Sequence, residues 1–272
     1  MPELPEITVL SKQMAKEITG KQIHKVETHQ PKCLNTPPER FVETAIGKTI
    51  GQIYSRGKWL FIKLEPDHYL LINLGMGANL LYFTPNSKLP EKYQFKLTFT
   101  DHSGFTIRFY WFGYIHLLPQ KELSQHKLTA KLGVSASDKE FTKEYLQKLL
   151  EKRKARIKSL LLDQKNIAGI GNVYIQDILF NARLHPNRKA FTLSDQEISN
   201  LYDAIKTVLN SSIEKGGLTY EKNFYGQKGN FGAEDFQVGY KTGKPCPVCS
   251  TPIEKIRTGP TSSYICPKCQ KL

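Results

Sequence analysis

The stretch Tyr93-Gln94-Phe95-Lys96-Leu97-Thr98-Phe99-Thr100-Asp101-His102-Ser103-Gly104-Phe105-Thr106-Ile107-Arg108-Phe109-Tyr110-Trp111 decides the fold of the first half of the chain. Tyr93, Phe95, Leu97 and Phe99 alternate with other side chains, and so do Phe105, Ile107, Phe109 and Trp111. A period of two places every second side chain on one face, the pattern of a half-buried strand. Asp101-His102-Ser103-Gly104 supplies turn residues between the runs, so the stretch predicts an antiparallel hairpin. Thr49 to Leu64 reads as a second strand pair, bent at Arg56-Gly57. The region from about 20 to 118 is therefore mostly antiparallel β, expected as a sandwich. Ahead of it the period is helical: Ile7, Leu10, Met14 and Ile18 recur over residues 5 to 19, with Pro5 in the first turn and Gly20 as a stop.

The second half changes period again. Phe141 to Leu162 reads as a helical stretch rich in Lys and Arg, and Gly171 to Ala182 as another helix after Gly169-Ile170-Gly171. Ser194-Asp195-Gln196-Glu197 is a capping-box pattern opening a helix that stops at Gly216-Gly217. Residues 221–236 are glycine-rich and aperiodic, which predicts a mobile loop. The expected fold class is α+β: an N-terminal antiparallel β-sandwich with a long N-terminal helix (1–118), a linker (119–140), a helical domain (141–236) and a cysteine-bearing segment (237–272).

A chain of 272 residues suits two modest domains. Lys and Arg outnumber Asp and Glu by 39 to 25, a formal net charge of +14, which favours a polyanionic partner, nucleic acid first. The most apolar run, Leu70 to Phe83, is broken by Asn73, Gly75, Gly77 and Asn79 and is too short to span a bilayer. The N-terminus carries Glu3 and Glu6 early and lacks the apolar core of a signal peptide. No membrane partner is expected, and a cytoplasmic location is.

Cys33 stands alone, a small buried or half-buried residue. Cys246-x-x-Cys249 and Cys266-x-x-Cys269 are separated by 16 residues, a spacing that matches a tetrahedral zinc site, against the competing reading of a disulfide pair. Four protein ligands leave no position for water, so one Zn2+ is expected in a structural role. It would staple a segment too small to fold by burial alone, with a hairpin between Ile253 and Ile265. Such a hairpin either grips DNA or caps a domain; Lys255 and Arg257 favour DNA.

Three segments converge: Met-Pro-Glu-Leu-Pro-Glu at the start, Leu161-Leu162-Asp163-Gln164 running into Ala168-Gly169-Ile170-Gly171-Asn172-Val173-Tyr174 and Leu184-His185-Pro186, and two Cys-Pro-x-Cys pairs at the end. In this order they resemble the formamidopyrimidine-DNA glycosylase and endonuclease VIII family over the whole chain. The resemblance implies a β-sandwich with one long helix, a helical domain with a helix–two-turn–helix motif, and a zinc finger. It implies base-excision repair of double-stranded DNA carrying a damaged base or abasic site, by a monomeric glycosylase with lyase activity.

The chemistry fits that implication. A free α-amino group titrates at about 7.7–8, well below lysine, so much of it is uncharged at neutral pH. Proline's secondary amine forms an iminium on attacking a sugar carbon, an electron sink for phosphate elimination. The resemblance assigns the attack on C1′ to Pro2 once Met1 is removed, and proton transfer in ring opening to Glu3. Glu6 either supports the N-terminus or is a plain first-turn glutamate. Lys58 resembles the family's lysine beside the lesion phosphate. Gly171 and Asn172 match a backbone turn and an asparagine that hold phosphate, with Lys158 and Lys165 adding charge. An amine reaches C1′ only if the nucleotide leaves the duplex, and the gap needs wedge side chains, which Met76 and Phe112 match.

The pattern breaks at three places. Trp111 stands where the family usually has an arginine pairing with the orphaned base opposite. Asn73 stands where a histidine is common. Thr261 replaces an arginine that clamps the lesion phosphate, so a phosphate grip would have to be rebuilt from another residue such as Lys255 or Arg257. The departures leave open which lesion is chosen, and the loop after Glu221 is the expected discriminator. They also keep a rival reading alive, a binder of damaged, abasic or distorted DNA that has lost turnover. A zinc-finger regulator explains neither the N-terminus nor the absence of a recognition helix.

Overall fold

The computed structural model describes residues 2–272, which divide into two compact units. The first comprises the chain up to Lys131 together with Lys215–Asn230. Its first helix, α1 (Leu4–Ile18), buries Leu4, Ile7, Leu10, Met14 and Ile18, the stripe that its period announced. β1 (Ile23–Thr28) and a short α2 (Pro38–Ala45) follow. The remaining strands are β2 (Thr49–Arg56), β3 (Trp59–Glu65), β4 (His68–Asn73), β5 (Ala78–Phe83), β6 (Phe95–Phe99), β7 (Gly104–Phe109) and β8 (Tyr114–Pro119). They form two four-stranded antiparallel sheets, ordered β2-β3-β4-β8 and β1-β6-β7-β5. In the expected hairpin Phe95 faces Ile107 and Leu97 faces Phe105, and all four are buried. One core takes side chains from both sheets and from α1.

The second unit comprises Leu132–Glu214 and Phe231–Leu272. Its helices are α3 (Lys143–Leu150), α4 (Ile157–Leu162), α5 (Ile175–Asn181) and α6 (Asp195–Glu214). β9 (Val134–Ser135) pairs in parallel with β10 (Ile167–Ala168), and β11 (Glu254–Thr258) pairs antiparallel with β12 (Thr261–Ile265). The capping box at Ser194 forms as its sequence reads: Ser194 N donates to Glu197 Oε2 at 2.8 Å, and Glu197 N to Ser194 Oγ at 3.3 Å.

Four expectations need correction. The stretch from Phe141 to Leu162 is two helices rather than one, broken where Lys152 takes a left-handed φ of 59°. The helix expected from Gly171 starts only at Ile175. Residues 119–140 are not a bare linker, because the change of unit falls between Lys131 and Leu132 and Val134–Ser135 is a strand. The segment 221–236 is tethered. Phe224 is wholly buried in the sandwich core, its N–H donates to Gln13 Oε1 at 2.9 Å, and Tyr82 N donates to its carbonyl at 2.8 Å. The chain then changes unit after Asn230. A single aromatic anchor has no period, which is why the pattern missed it.

Candidate active site

In the first unit the site begins at the start of α1. Pro2 is buried, and Glu3 is the N-cap with extended backbone. Glu3 and Glu6 cap each other: Glu3 N donates to Glu6 Oε2 at 2.9 Å, and the Glu6 N–H donates to the Glu3 side chain. Glu6 Oε1 also accepts from Leu218 N at 3.2 Å. Glu6 is thus no plain first-turn glutamate, because backbone N–H groups engage both its oxygens and tie the helix to the Gly216-Gly217 turn. Gly217 sits at a φ of +89°, and a Cβ there would lie 3.2 Å from Glu6. Both glutamates are at most 5% exposed. Burying two carboxylates is costly without compensation. Lys58 supplies part of it from the turn between β2 and β3. Burial lowers the pKa of its ammonium, while the charges of Glu3 and Glu6 push it back up. Asn73 braces this lysine's backbone. Its Nδ2 donates to Lys58 O at 2.9 Å, and its Oδ1 accepts from Gly75 N at 3.0 Å.

Gly75 leads to the exposed Met76. Its φ is +56°, and a Cβ would lie 1.6 Å from Phe112 O, so only glycine lets the two turns meet. Met76, Trp111 and Phe112 are all exposed on these adjoining turns.

In the second unit the glycine turn is pinned by Gln164. Its Nε2 donates to Leu162 O at 2.9 Å and Ile170 O at 2.8 Å, and its Oε1 accepts from Gly169 N at 2.9 Å. Gly171 is buried at the end of that turn and Asn172 is half-buried. Gln176 connects Asn172 to the hairpin, donating to Asn172 O at 2.8 Å and accepting from Tyr264 N at 3.1 Å. Lys165, Lys255 and Arg257 are exposed; the last two lie two residues apart on β11 and so share a face. Lys158 does not join them. It is 2% exposed, and its ammonium donates to Thr258 Oγ1, Thr261 Oγ1, Ser262 O and Ser263 Oγ at 2.7–3.0 Å. Burial brings its pKa down to about 8. The expectation of a surface phosphate contact at Lys158 gives way to a lysine that holds the β11–β12 hairpin.

The four cysteine sulfurs lie within 4.8 Å of one another. The Cys249–Cys266 and Cys246–Cys269 separations are 3.4 and 3.9 Å. A tetrahedron with Zn–S bonds of about 2.3 Å has sulfur–sulfur edges near 3.8 Å, so the cluster fits the ion. Val248 N and Cys269 N each point at a cysteine sulfur at 3.4 Å, which supports thiolates. Cys246 and Cys266 also pack with Phe180, Val238 and Ile253 in a small core of their own.

Three family models match this chain: the formamidopyrimidine-DNA glycosylase N-terminal domain over residues 1–110, the formamidopyrimidine-DNA glycosylase H2TH domain over 132–223, and the zinc finger found in FPG and IleRS over 243–272. The formamidopyrimidine-DNA glycosylase of Pelotomaculum thermopropionicum is 39% identical over the full length of both chains. The chain belongs to the formamidopyrimidine-DNA glycosylase family. That of Streptococcus mutans is 35% identical, also over both full lengths. Among solved structures, the Lactococcus lactis Fpg in complex with abasic-site DNA superposes with a TM-score of 0.90 at 28% identity, covering 99% of this chain and all of that one. The same enzyme bound to an N7-benzyl-Fapy-dG DNA also gives 0.90. The family's zinc finger and the cysteine geometry together establish one structural zinc.

Two supporting residues had no signal in the sequence. Gln176 lies in a helix whose period speaks only of packing. Asp177 is 2% exposed and accepts from the N–H groups of Gln237, Val238 and Gly239 at 2.8–3.0 Å, fixing the approach to the finger. A buried acid one position from a Gln is not distinguishable in sequence from a solvated one. Asn73 was visible only as a departure from the family pattern.

Proposed function

We propose that the protein is a base-excision-repair DNA glycosylase with AP lyase activity, its nucleophile the Pro2 amine of a chain freed of Met1. What carries the reading is the clustering of Pro2, the mutually capped Glu3 and Glu6, and Lys58 at the start of α1 in a member of this family. The amine lone pair forms the N–C1′ bond as the bond to the damaged base breaks, and the base leaves with that electron pair. The resulting ammonium nitrogen gives its proton to the Glu3 carboxylate. Its lone pair then forms the C1′ iminium as C1′–O4′ breaks, and Glu3 passes that proton to O4′. The iminium acidifies C2′, and loss of a proton there expels the 3′ phosphate and nicks the strand. Glu6 positions Glu3, and Lys58 balances the charge of both while facing the lesion phosphate. Met76 and Phe112 fill the gap left by the extruded nucleotide. Asn172 and the Gly169–Gly171 turn hold phosphate, with Lys165, Lys255 and Arg257 adding charge. The four thiolates hold zinc, which supplies no chemistry to these steps and keeps the hairpin folded. The substrates include ring-opened purines, the lesion that the relatives' names carry. The protein works as a monomer on double-stranded DNA in the cytoplasm.

Borohydride reduction in the presence of abasic duplex tests the nucleophile. The chain starting at Pro2, verified by mass, is expected to form a covalent adduct, and Pro2→Gly to cut its yield at least about tenfold. No adduct from that chain, with duplex binding intact, would favour a non-catalytic binder of damaged DNA.

A further inference from the structure

Trp111 is 81% exposed, the most exposed large apolar side chain among the described residues. Its surroundings are fixed. On one side Gln94 brackets the Phe109 backbone, accepting from its N–H at 2.8 Å and donating to its carbonyl at 3.2 Å. Next to it, Tyr110 N donates to Gly77 O at 3.0 Å, and the Tyr110 hydroxyl accepts from Asn79 Nδ2 at 2.7 Å. On the other side Phe112 O is in contact with Gly75. The indole therefore projects from a rigid turn, beside the exposed Met76 and Phe112, and borders an open pocket of about 220 Å³ shared with Gln30 and Lys32. Together Met76, Trp111 and Phe112 make an exposed apolar cluster bordered by polar side chains, the kind of surface that marks a binding site.

We propose that Trp111 is the platform on which the base opposite the lesion stacks, and that it makes recognition of that base tolerant of its identity. The inference rests on the proposed glycosylase reading, since extruding one nucleotide leaves its partner unpaired next to the wedge residues. An indole offers a π-face to every base and a single N–H donor with no acceptor. It cannot form the paired hydrogen bonds by which a guanidinium fork singles out a base with two adjacent acceptors. Stacking instead gains from any of the four bases.

The chain holds two tryptophans, which makes the test direct. Trp59 is 6% exposed and stacked on Tyr114 with ring centroids 5.8 Å apart, and W111F leaves it as the one tryptophan, so the difference between native and W111F emission on DNA binding reports Trp111. The probe is a duplex with a non-cleavable tetrahydrofuran site opposite A, C, G or T in turn. Emission is expected to be quenched on binding, with W111F abolishing the quench. Affinities for the four duplexes should agree within about threefold. W111A should weaken all four by roughly ten- to hundredfold, the loss expected for one stacked base. W111R should open a spread of about tenfold or more in favour of cytosine and guanine, the bases presenting adjacent acceptors. Unchanged emission on binding, or a native preference above about tenfold for one opposite base, overturns the proposal. Borohydride trapping of the same protein separates the two readings. Adduct formation without quenching sinks the stacking role alone, while quenching without an adduct upholds it and sinks the enzyme.

Discussion

Asn73 shows how a single side chain can serve a site without touching its chemistry. Its amide donates to Lys58 O and accepts from Gly75 N, so one planar group sets both the turn that carries the lysine and the turn that carries Met76. Histidine in its neutral form also has one donor and one acceptor, but on a five-membered ring of different reach. Asn73→Ala leaves a half-buried carbonyl and N–H without partners, a loss of about 1–3 kcal/mol in unfolding free energy by denaturant titration. Lys58 then loses its fixed backbone, so the rate of adduct formation should fall more than the affinity for abasic duplex. Asn73→Asp keeps the acceptor for Gly75 and lacks the donor for Lys58, and should reproduce the rate defect with less loss of stability. Equal falls in rate and affinity for both variants would show that Asn73 acts on binding alone.

The β11–β12 hairpin is held at both ends by different physics. At its base four thiolates converge on zinc; toward its tip the Lys158 ammonium gathers two threonine hydroxyls, one serine hydroxyl and a carbonyl. No carboxylate is among these acceptors. The lysine is satisfied by dipoles, consistent with the downward shift that burial imposes on it. Thr261, which in sequence is only a missing arginine, is one of those acceptors, so the substitution has a structural role at this spot. Lys158→Met should strip donors from several buried oxygens and loosen the hairpin by about 1–3 kcal/mol. The expected outcome is faster zinc loss to a chelator, read by a metallochromic dye, although no thiolate has changed. Zinc release at the native rate would show the two ends to be independent. The cysteine spacing made the metal legible because four soft ligands in two short pairs have few other uses. The lysine was legible only as a charge near a motif, because sequence does not say whether a long side chain turns outward or inward.

Across the whole molecule, the legible parts were those with a period or a fixed spacing. The alternation over residues 95–109, the stripe of α1 and the capping box at Ser194 each translated into structure, whereas Trp111, which the same alternation would bury, lies beyond the strand and is exposed. The single anchor Phe224 and the break at Lys152 escaped for the opposite reason: each is one residue acting once. Net charge lies between these cases. A surplus of +14 is plain in the sequence, yet it does not say which cations meet a phosphate. The structure sorts the candidates, removing Lys158 to the interior while Lys165, Lys255 and Arg257 stay exposed. Salt dependence reads that sorting. The logarithm of the binding constant for duplex DNA falls linearly with the logarithm of salt concentration, by about 0.9 per phosphate neutralised. Neutralising Lys255 and Arg257 together to Gln should therefore reduce the slope by roughly 1–2 and weaken binding alike for lesion-bearing and undamaged duplex. Lys158→Met should leave the slope near its native value despite removing the same formal charge. A slope that drops as much for Lys158→Met as for the hairpin pair would mean that the buried ammonium reaches the backbone of DNA after all.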